Sequence, residues 1–141
     1  MLTYCERSAL MARIRGKDTK PELLVRSLLH RMGYRFRLYR KDLPGTPDIV
    51  LPRLRTVVFV HGCFWHRHKD CKGTSTPKTH VDFWEAKFKR NVERDSRNRR
   101  DLRRLGWRYI VVWECETRNV CRLERKLRAR LRKIETAARM R

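Results

Sequence analysis

The residues able to do chemistry crowd into one stretch, Thr56 to Cys71, which reads TVVFVHGCFWHRHKDC. Within it Cys63, His68 and Cys71 follow a C-x4-H-x2-C spacing, and a further thiol, Cys115, stands directly after the run WRYIVVWE. Three thiolates and an imidazole suit tetrahedral zinc. A complete protein ligand set leaves no open coordination position, so the zinc expected here is structural. The rival reading is a pair of ordinary buried cysteines with exposed histidines; Lys69 and Asp70 speak against it, because they make a buried tract costly. Cys5 and Cys121 fit no ligand pattern.

A second set is Asp48, His61 and His66, which converge if the strands that carry Asp48 and His61 pair. A carboxylate beside a phosphate makes sense chiefly as a magnesium ligand, since an uncompensated anion repels the DNA backbone. A neutral imidazole nearby can take the proton of an attacking water, and a second can steady the phosphate or the leaving group. Taken alone, each acid has a plainer reading. Asp48 after Thr46-Pro47 is more often an Asx-turn residue, Glu22 serves equally well as a helix cap, and Asp95 within KRNVERDSRNRRD reads as a partner in exposed helix ion pairs. The aromatics Phe64 and Trp65, with Trp84 beyond, divide evenly between core packing and a wedge pushed between base pairs.

These side chains need a frame. Thr19-Lys20-Pro21-Glu22 carries the capping-box pattern and predicts a helix up to Gly33, with Leu24, Val25, Leu28, Leu29 and Met32 facing the core. Alternation from Tyr34 to Tyr39 predicts a half-exposed strand. Turn chemistry in LPGTP releases Asp48-Ile49-Val50-Leu51, a short buried strand closed by Pro52 and expected to form a hairpin with Thr56 onward. A long helix is predicted from about Val81 to Leu105, with Phe83 or Trp84, Phe88, Val92, Leu102 and Leu105 as a sparse apolar stripe and Gly106 as its stop. Trp107 to Trp113 is the best candidate for a central strand. Val120, Leu123, Leu127, Leu131 and Ile134 mark a C-terminal helix, and Glu6 to Arg15 a short amphipathic arm. Helix, three strands, helix, strand, helix is an α/β order: a mixed central sheet flanked by helices.

With 141 residues the chain fits one domain, and 37 Lys and Arg against 15 acids give a net charge of +22. That excess points to a polyanion. Nucleic acid is favoured over a membrane because basic residues interleave with polar and aromatic ones, and no segment approaches the roughly 20 apolar residues of a spanning helix. The N-terminus MLTYCERSAL lacks the pattern of a secretory signal, so a reducing, cytoplasmic, nucleoid-associated location is expected, with thiols free or metal-bound.

The segments HGCFWH (His61 to His66), LPGTPD (Leu43 to Asp48), NVERD (Asn91 to Asp95) and LGWRYIVVWEC (Leu105 to Cys115) resemble the very short patch repair DNA mismatch endonucleases, in matching order along nearly the whole chain. The resemblance implies a restriction-endonuclease-like fold of the PD-(D/E)xK superfamily and a Mg2+-dependent enzyme that nicks double-stranded DNA beside a T:G mismatch left by deamination of 5-methylcytosine. It makes Asp48 and the backbone carbonyl of Val60 the magnesium ligands, His66 the general base with Asp95 orienting it, and His61 the second histidine at the scissile phosphate. Glu22 aligns with an acid important to activity. Cys63, His68, Cys71 and Cys115 match the zinc ligands, Phe64, Trp65 and Trp84 the wedge, and Met11 a side chain inserted from the opposite groove. Val60 stands where Thr is common, which a backbone-carbonyl role tolerates. Val60-His61 occupies the place of the usual carboxylate-x-Lys signature, as is the pattern in this family.

The expected organisation is therefore a DNA-contacting arm over residues 1–18 and a single endonuclease domain over 19–141. It should act as a monomer on mismatched duplex DNA, away from membranes, with mismatch-repair proteins as candidate partners. Two other readings use the same residues: a restriction-like or structure-specific nickase with a different target, and a zinc-stabilised nucleic-acid-binding protein without catalysis.

Overall fold

The computed structural model describes residues 18–140. Met11, Cys5, the short amphipathic segment expected at Glu6 to Arg15 and all of the predicted arm except Asp18 lie outside them. The first helix, α1 (Lys20–Arg31), starts at the predicted box: the Thr19 hydroxyl accepts from the Glu22 N–H at 3.4 Å, and the Glu22 carboxylate accepts from the Thr19 N–H at 2.9 Å. It ends in a Schellman motif. Gly33 takes φ +89°, and the N–H groups of Gly33 and Tyr34 return to the carbonyls of His30 and Leu29.

Three strands follow: β1 (Arg37–Leu38), β2 (Ile49–Leu51) and β3 (Thr56–His61). β1 is shorter than the alternation of Tyr34 to Tyr39 predicts. Tyr34 and Phe36 do lean on the core, but Leu38 is exposed and Tyr39 turns to φ +50°, which breaks the extended run. β2 and β3 form the expected hairpin, with Ile49 opposite Val58 and Leu51 opposite Thr56. The long helix α2 (Val81–Arg104) then leads to β4 (Arg108–Trp113), which lies parallel to β3 from Thr56↔Arg108 to His61↔Trp113. The last helix is α3 (Val120–Arg139).

The sheet order is β1-β2-β3-β4, so β4 is an edge strand and not the central one its apolar run suggested. Among the described residues it pairs only with β3, and its apolar residues are used instead to pack helices on both faces. Ile110 and Val112 join Val25, Leu28 and Leu29 of α1 and Leu123, Leu127, Leu131 and Ile134 of α3 on one side. Trp107, with Tyr109 and Val111 against it, meets Leu102 of α2 together with Val50, Val57 and Phe59 on the other. Strand alternation thus builds two cores from one sheet, and β3, covered on both faces, is fixed along its whole length. Its C-terminal end, His61, opens into an irregular stretch that lasts until α2 begins.

Among the described residues no helix is long and apolar enough to cross a membrane.

Candidate active site and metal centre

Because β3 outruns β2, its last residues have no strand beside them on the β2 side. Asp48, just before β2, fills that position: its carboxylate accepts from the Val60 N–H at 2.7 Å. In an extended strand the N–H and C=O of one residue face the same edge, so the Val60 carbonyl is turned toward Asp48 as well. Glu22 comes from the first turn of α1. It is only 3% exposed, and besides its capping bond it accepts from the Tyr39 hydroxyl at 3.1 Å, which in turn accepts from Arg26 at 2.6 Å. Cap and site residue are therefore the same side chain. Burial, then the adjacent Glu22, outweigh the Val60 N–H and push the Asp48 carboxyl up to about 7. Two carboxylates so placed favour a cation between protein and solvent, and oxygen donors of this kind suit a hard divalent ion.

At the end of β3 the two histidines stack, ring centroids 3.9 Å apart and planes 5° from parallel. His61 is buried, and burial first, then the charge on His66, depress its pKa to about 3, so it is neutral at pH 7. His66 Nδ1 lies 2.6 Å from Asp95 Oδ2. Burial raises Asp95, but the hydrogen bond to His66 and the cationic neighbours overcome this and hold it below its ordinary value. An ionised carboxylate only accepts, so Nδ1 donates to it, and in the neutral form of the ring Nε2 is then the nitrogen that carries the lone pair. The reading of Asp95 as an exposed ion-pair partner is thus corrected: the helix phase turns it inward.

That phase also corrects the apolar stripe of α2. Val92 and Leu105 are exposed, whereas Trp84, Phe88, Asn91, Asp95, Asn98 and Leu102 recur at steps of three and four and face the fold. Polar members in the middle of a buried stripe were the available signal that the helix lines a site. Asn91 donates to the Trp65 carbonyl at 3.2 Å, and Asn98 packs against Gly45, whose φ of +81° and lack of a Cβ allow the approach. Asp48, Val60, His61, His66, Asp95 and Glu22 all line one cavity of about 1930 Å³. Trp65, Phe83, Trp84, Lys87 and Arg99 share its wall. Phe64 sits behind, edge-on to Trp65, Trp84 and Phe88 at 5.0, 5.8 and 5.1 Å. Phe83, 57% exposed, and Lys87, over the Trp65 ring, went unrecognised as site residues in the sequence.

Beyond His66 the chain holds together through a second cluster. Donor atoms of Cys63, His68, Cys71 and Cys115 lie within 4.8 Å of one another. His68 Nδ1 is 3.7 Å from Cys63 Sγ and 3.4 Å from Cys115 Sγ. A tetrahedral zinc with ordinary bond lengths needs an S-to-N edge of about 3.6 Å, so the donor set fits the ion. Burial pushes the Cys63 thiol up to about 12 and raises Cys115, while the Gly73 N–H lowers Cys71. The raised thiols of Cys63 and Cys115 would lose their protons on binding a metal. Cys121 is exposed on α3 and takes no part. Trp113 connects the two clusters, its face on His68 at 4.1 Å and its edge to His61 at 5.3 Å.

The chain is similar to known proteins over most of its length. The family model described as DNA mismatch endonuclease Vsr matches residues 1–73. Type II nicking enzyme V.XorIIP of Xanthomonas oryzae pv. oryzae is 54% identical over 122 residues, covering 86% of this chain and 89% of that protein. Type II nicking enzyme V.NmeAIP of Neisseria meningitidis serogroup A is 44% identical over 97% of each chain. The DNA mismatch endonuclease Vsr of Escherichia coli (strain K12) is 46% identical over 112 residues, 79% of this chain and 71% of that one.

Proposed function

This chain belongs to the DNA mismatch endonuclease Vsr family, and on that premise we propose that it is a Mg2+-dependent endonuclease that nicks one strand of duplex DNA at a T:G mismatch. The observation that carries this is the convergence, on one cavity at the end of β3, of Asp48 and the His66–Asp95 pair. Around it we infer a restriction-endonuclease-like (PD-(D/E)xK) fold braced by a structural zinc on Cys63, His68, Cys71 and Cys115.

The chain's own residues divide the work. Asp95 fixes the His66 ring and its tautomer, so that Nε2 receives the proton of the attacking water. The water oxygen bonds to phosphorus, the bond from phosphorus to the leaving sugar oxygen breaks, and that oxygen takes a proton from solvent. His61, neutral and stacked beneath His66, limits where that ring can move and offers an uncharged partner to the phosphate. A divalent cation held by Asp48 and the Val60 carbonyl would neutralise charge on the phosphate and acidify the attacking water. Glu22 keeps a second carboxylate next to Asp48, itself fixed by Thr19 and Tyr39. Trp65 and Trp84, backed by Phe64, form the wedge, with Met11 entering from the opposite groove; opening a mispaired step costs less than opening a paired one, which makes insertion selective.

Duplexes with T:G, other mismatches or full pairing, incubated with and without Mg2+, test the proposal. A nick on one strand, confined to T:G and requiring Mg2+, is expected. Tight binding with no cutting in any sequence context would leave only a zinc-stabilised DNA-binding protein. Cutting matched plasmid as readily as mismatched DNA would point to a restriction-like or structure-specific nickase.

A further inference from the structure

Arg99 is the one arginine of α2 that is not exposed. Arg90, Arg97, Arg100, Arg103 and Arg104 face solvent, and Arg94, which borders the same cavity, is exposed and donates to Asn91 at 3.0 Å, whereas Arg99 is half-buried in the wall of the cavity that holds Asp48 and the histidines. It stands four residues after Asp95, the spacing at which an acid and an arginine on a helix normally pair. Here that pairing is broken, because the Asp95 carboxylate is committed to His66. Among the described residues the Arg99 guanidinium forms no ion pair and no hydrogen bond; it lies over the Tyr109 ring, 5.9 Å from its centre. A guanidinium drawn partly out of water without an anion is unfavourable unless an anion arrives with the substrate. It is near enough for its charge to bear on the His61 ring, so whatever it binds lies beside the two histidines.

We propose that Arg99 binds the phosphate that is cut, donating to its non-bridging oxygens from the same helix face that holds Asp95. Guanidinium geometry matches two phosphate oxygens at once, and its charge opposes the negative charge that grows as water attacks. Of the arginines on α2, it is therefore the one whose effect falls on the chemical step. The exposed ones would contribute to general attraction for DNA, which is sensitive to salt and indifferent to which linkage is cut. The assignment rests on the nicking function proposed above.

The test uses the full-length protein with zinc retained, and three variants: Arg99→Ala, Arg99→Lys and, as an exposed control, Arg97→Ala. Single-turnover nicking by Arg99→Ala should fall by about a hundredfold or more. Arg99→Lys should recover part of the loss, and Arg97→Ala should stay near the wild-type rate. Guanidinium ion at non-denaturing concentration should restore Arg99→Ala saturably, while sodium at equal ionic strength should not. A binding readout is independent of turnover. In Mg2+-free buffer, a neutral methylphosphonate at the cleaved linkage should weaken the wild-type protein but cause little additional loss in Arg99→Ala. The same replacement several linkages away should add its effect in full. Melting curves and zinc content establish that the variants are folded.

Full activity in Arg99→Ala, or additive binding losses at the cleaved linkage, would overturn the assignment while leaving the nicking function intact. A wild-type protein that cuts no duplex would remove both.

Discussion

Replacing Asp48 with Asn should abolish nicking and, in the absence of Mg2+, make the protein more stable. Burial, followed in effect by Glu22, moves the Asp48 carboxyl from 3.8 to about 7. A group whose folded pKa lies above its unfolded value supports the fold in its protonated form. That support is complete below about pH 4 and is lost as the pH rises toward 7, leaving an ionised carboxylate that the fold disfavours. A shift of about three units, at about 1.4 kcal/mol each, sets a ceiling of about 4 kcal/mol. Solvent in the open cavity lowers it, so a gain of about 1–2 kcal/mol is the expected size. Asn suits the test because it resembles the protonated acid: its oxygen still accepts the Val60 N–H, and its amide can donate to Glu22. Urea unfolding of both proteins, with zinc retained and Mg2+ withheld, should show the variant ahead at pH 8 and the gap closing toward pH 5. Added Mg2+ should stabilise the wild type alone. An Asn variant less stable than wild type at pH 8, or a gap that ignores pH, would refute the carboxylate-strain reasoning.

Asp95→Asn should leave DNA binding and stability nearly intact but slow single-turnover nicking by about a hundredfold or more, because His66 loses the partner that fixes its tautomer. Cys63→Ser or Cys115→Ser should lose bound zinc by elemental analysis and, in the same preparation, both cooperative melting and cutting, since Trp113 packs against both His68 and His61. Trp65→Ala and Trp84→Ala should reduce the ratio of T:G to matched cleavage more than they reduce binding to matched DNA, measured in parallel titrations. Gly45→Ala should cost about 1–2 kcal/mol by thermal unfolding, as it demands a left-handed backbone and places a methyl group 2.9 Å from Asn98.

Local signals made much of the frame legible. The capping box at Thr19, the glycine stops at Gly33 and Gly106, and the apolar period of α3 each depend on residues within a few positions, and each element formed where expected. What depends on partners far along the chain was harder to see. The run WRYIVVW reads as central because it is apolar, but helices on both faces use those residues and the strand lies at the edge. Asp95 and Arg99 look like half of an ordinary ion-pair ladder until His66, from 29 positions earlier, takes the carboxylate. Glu22 was ambiguous in sequence because it does two jobs: the cap positions the carboxylate that Tyr39 and Asp48 then meet. The Cys/His cluster able to hold a metal was the clearest part of the candidate site, since three of its residues lie within one short segment and the fourth, Cys115, comes two positions beyond β4, the strand that pairs with β3.

The central claim is that Asp48 and the His66–Asp95 pair act together on one phosphate in mismatched DNA. Single-turnover nicking of a T:G duplex by the wild type, Asp48→Asn, His66→Ala and the double variant tests it most directly. Strand-specific cutting by the wild type, loss in each single variant and no further loss in the double variant, with mismatch binding retained throughout, are predicted. A wild-type protein that binds the T:G duplex and leaves both strands whole in Mg2+, or single variants that still cut, would contradict it.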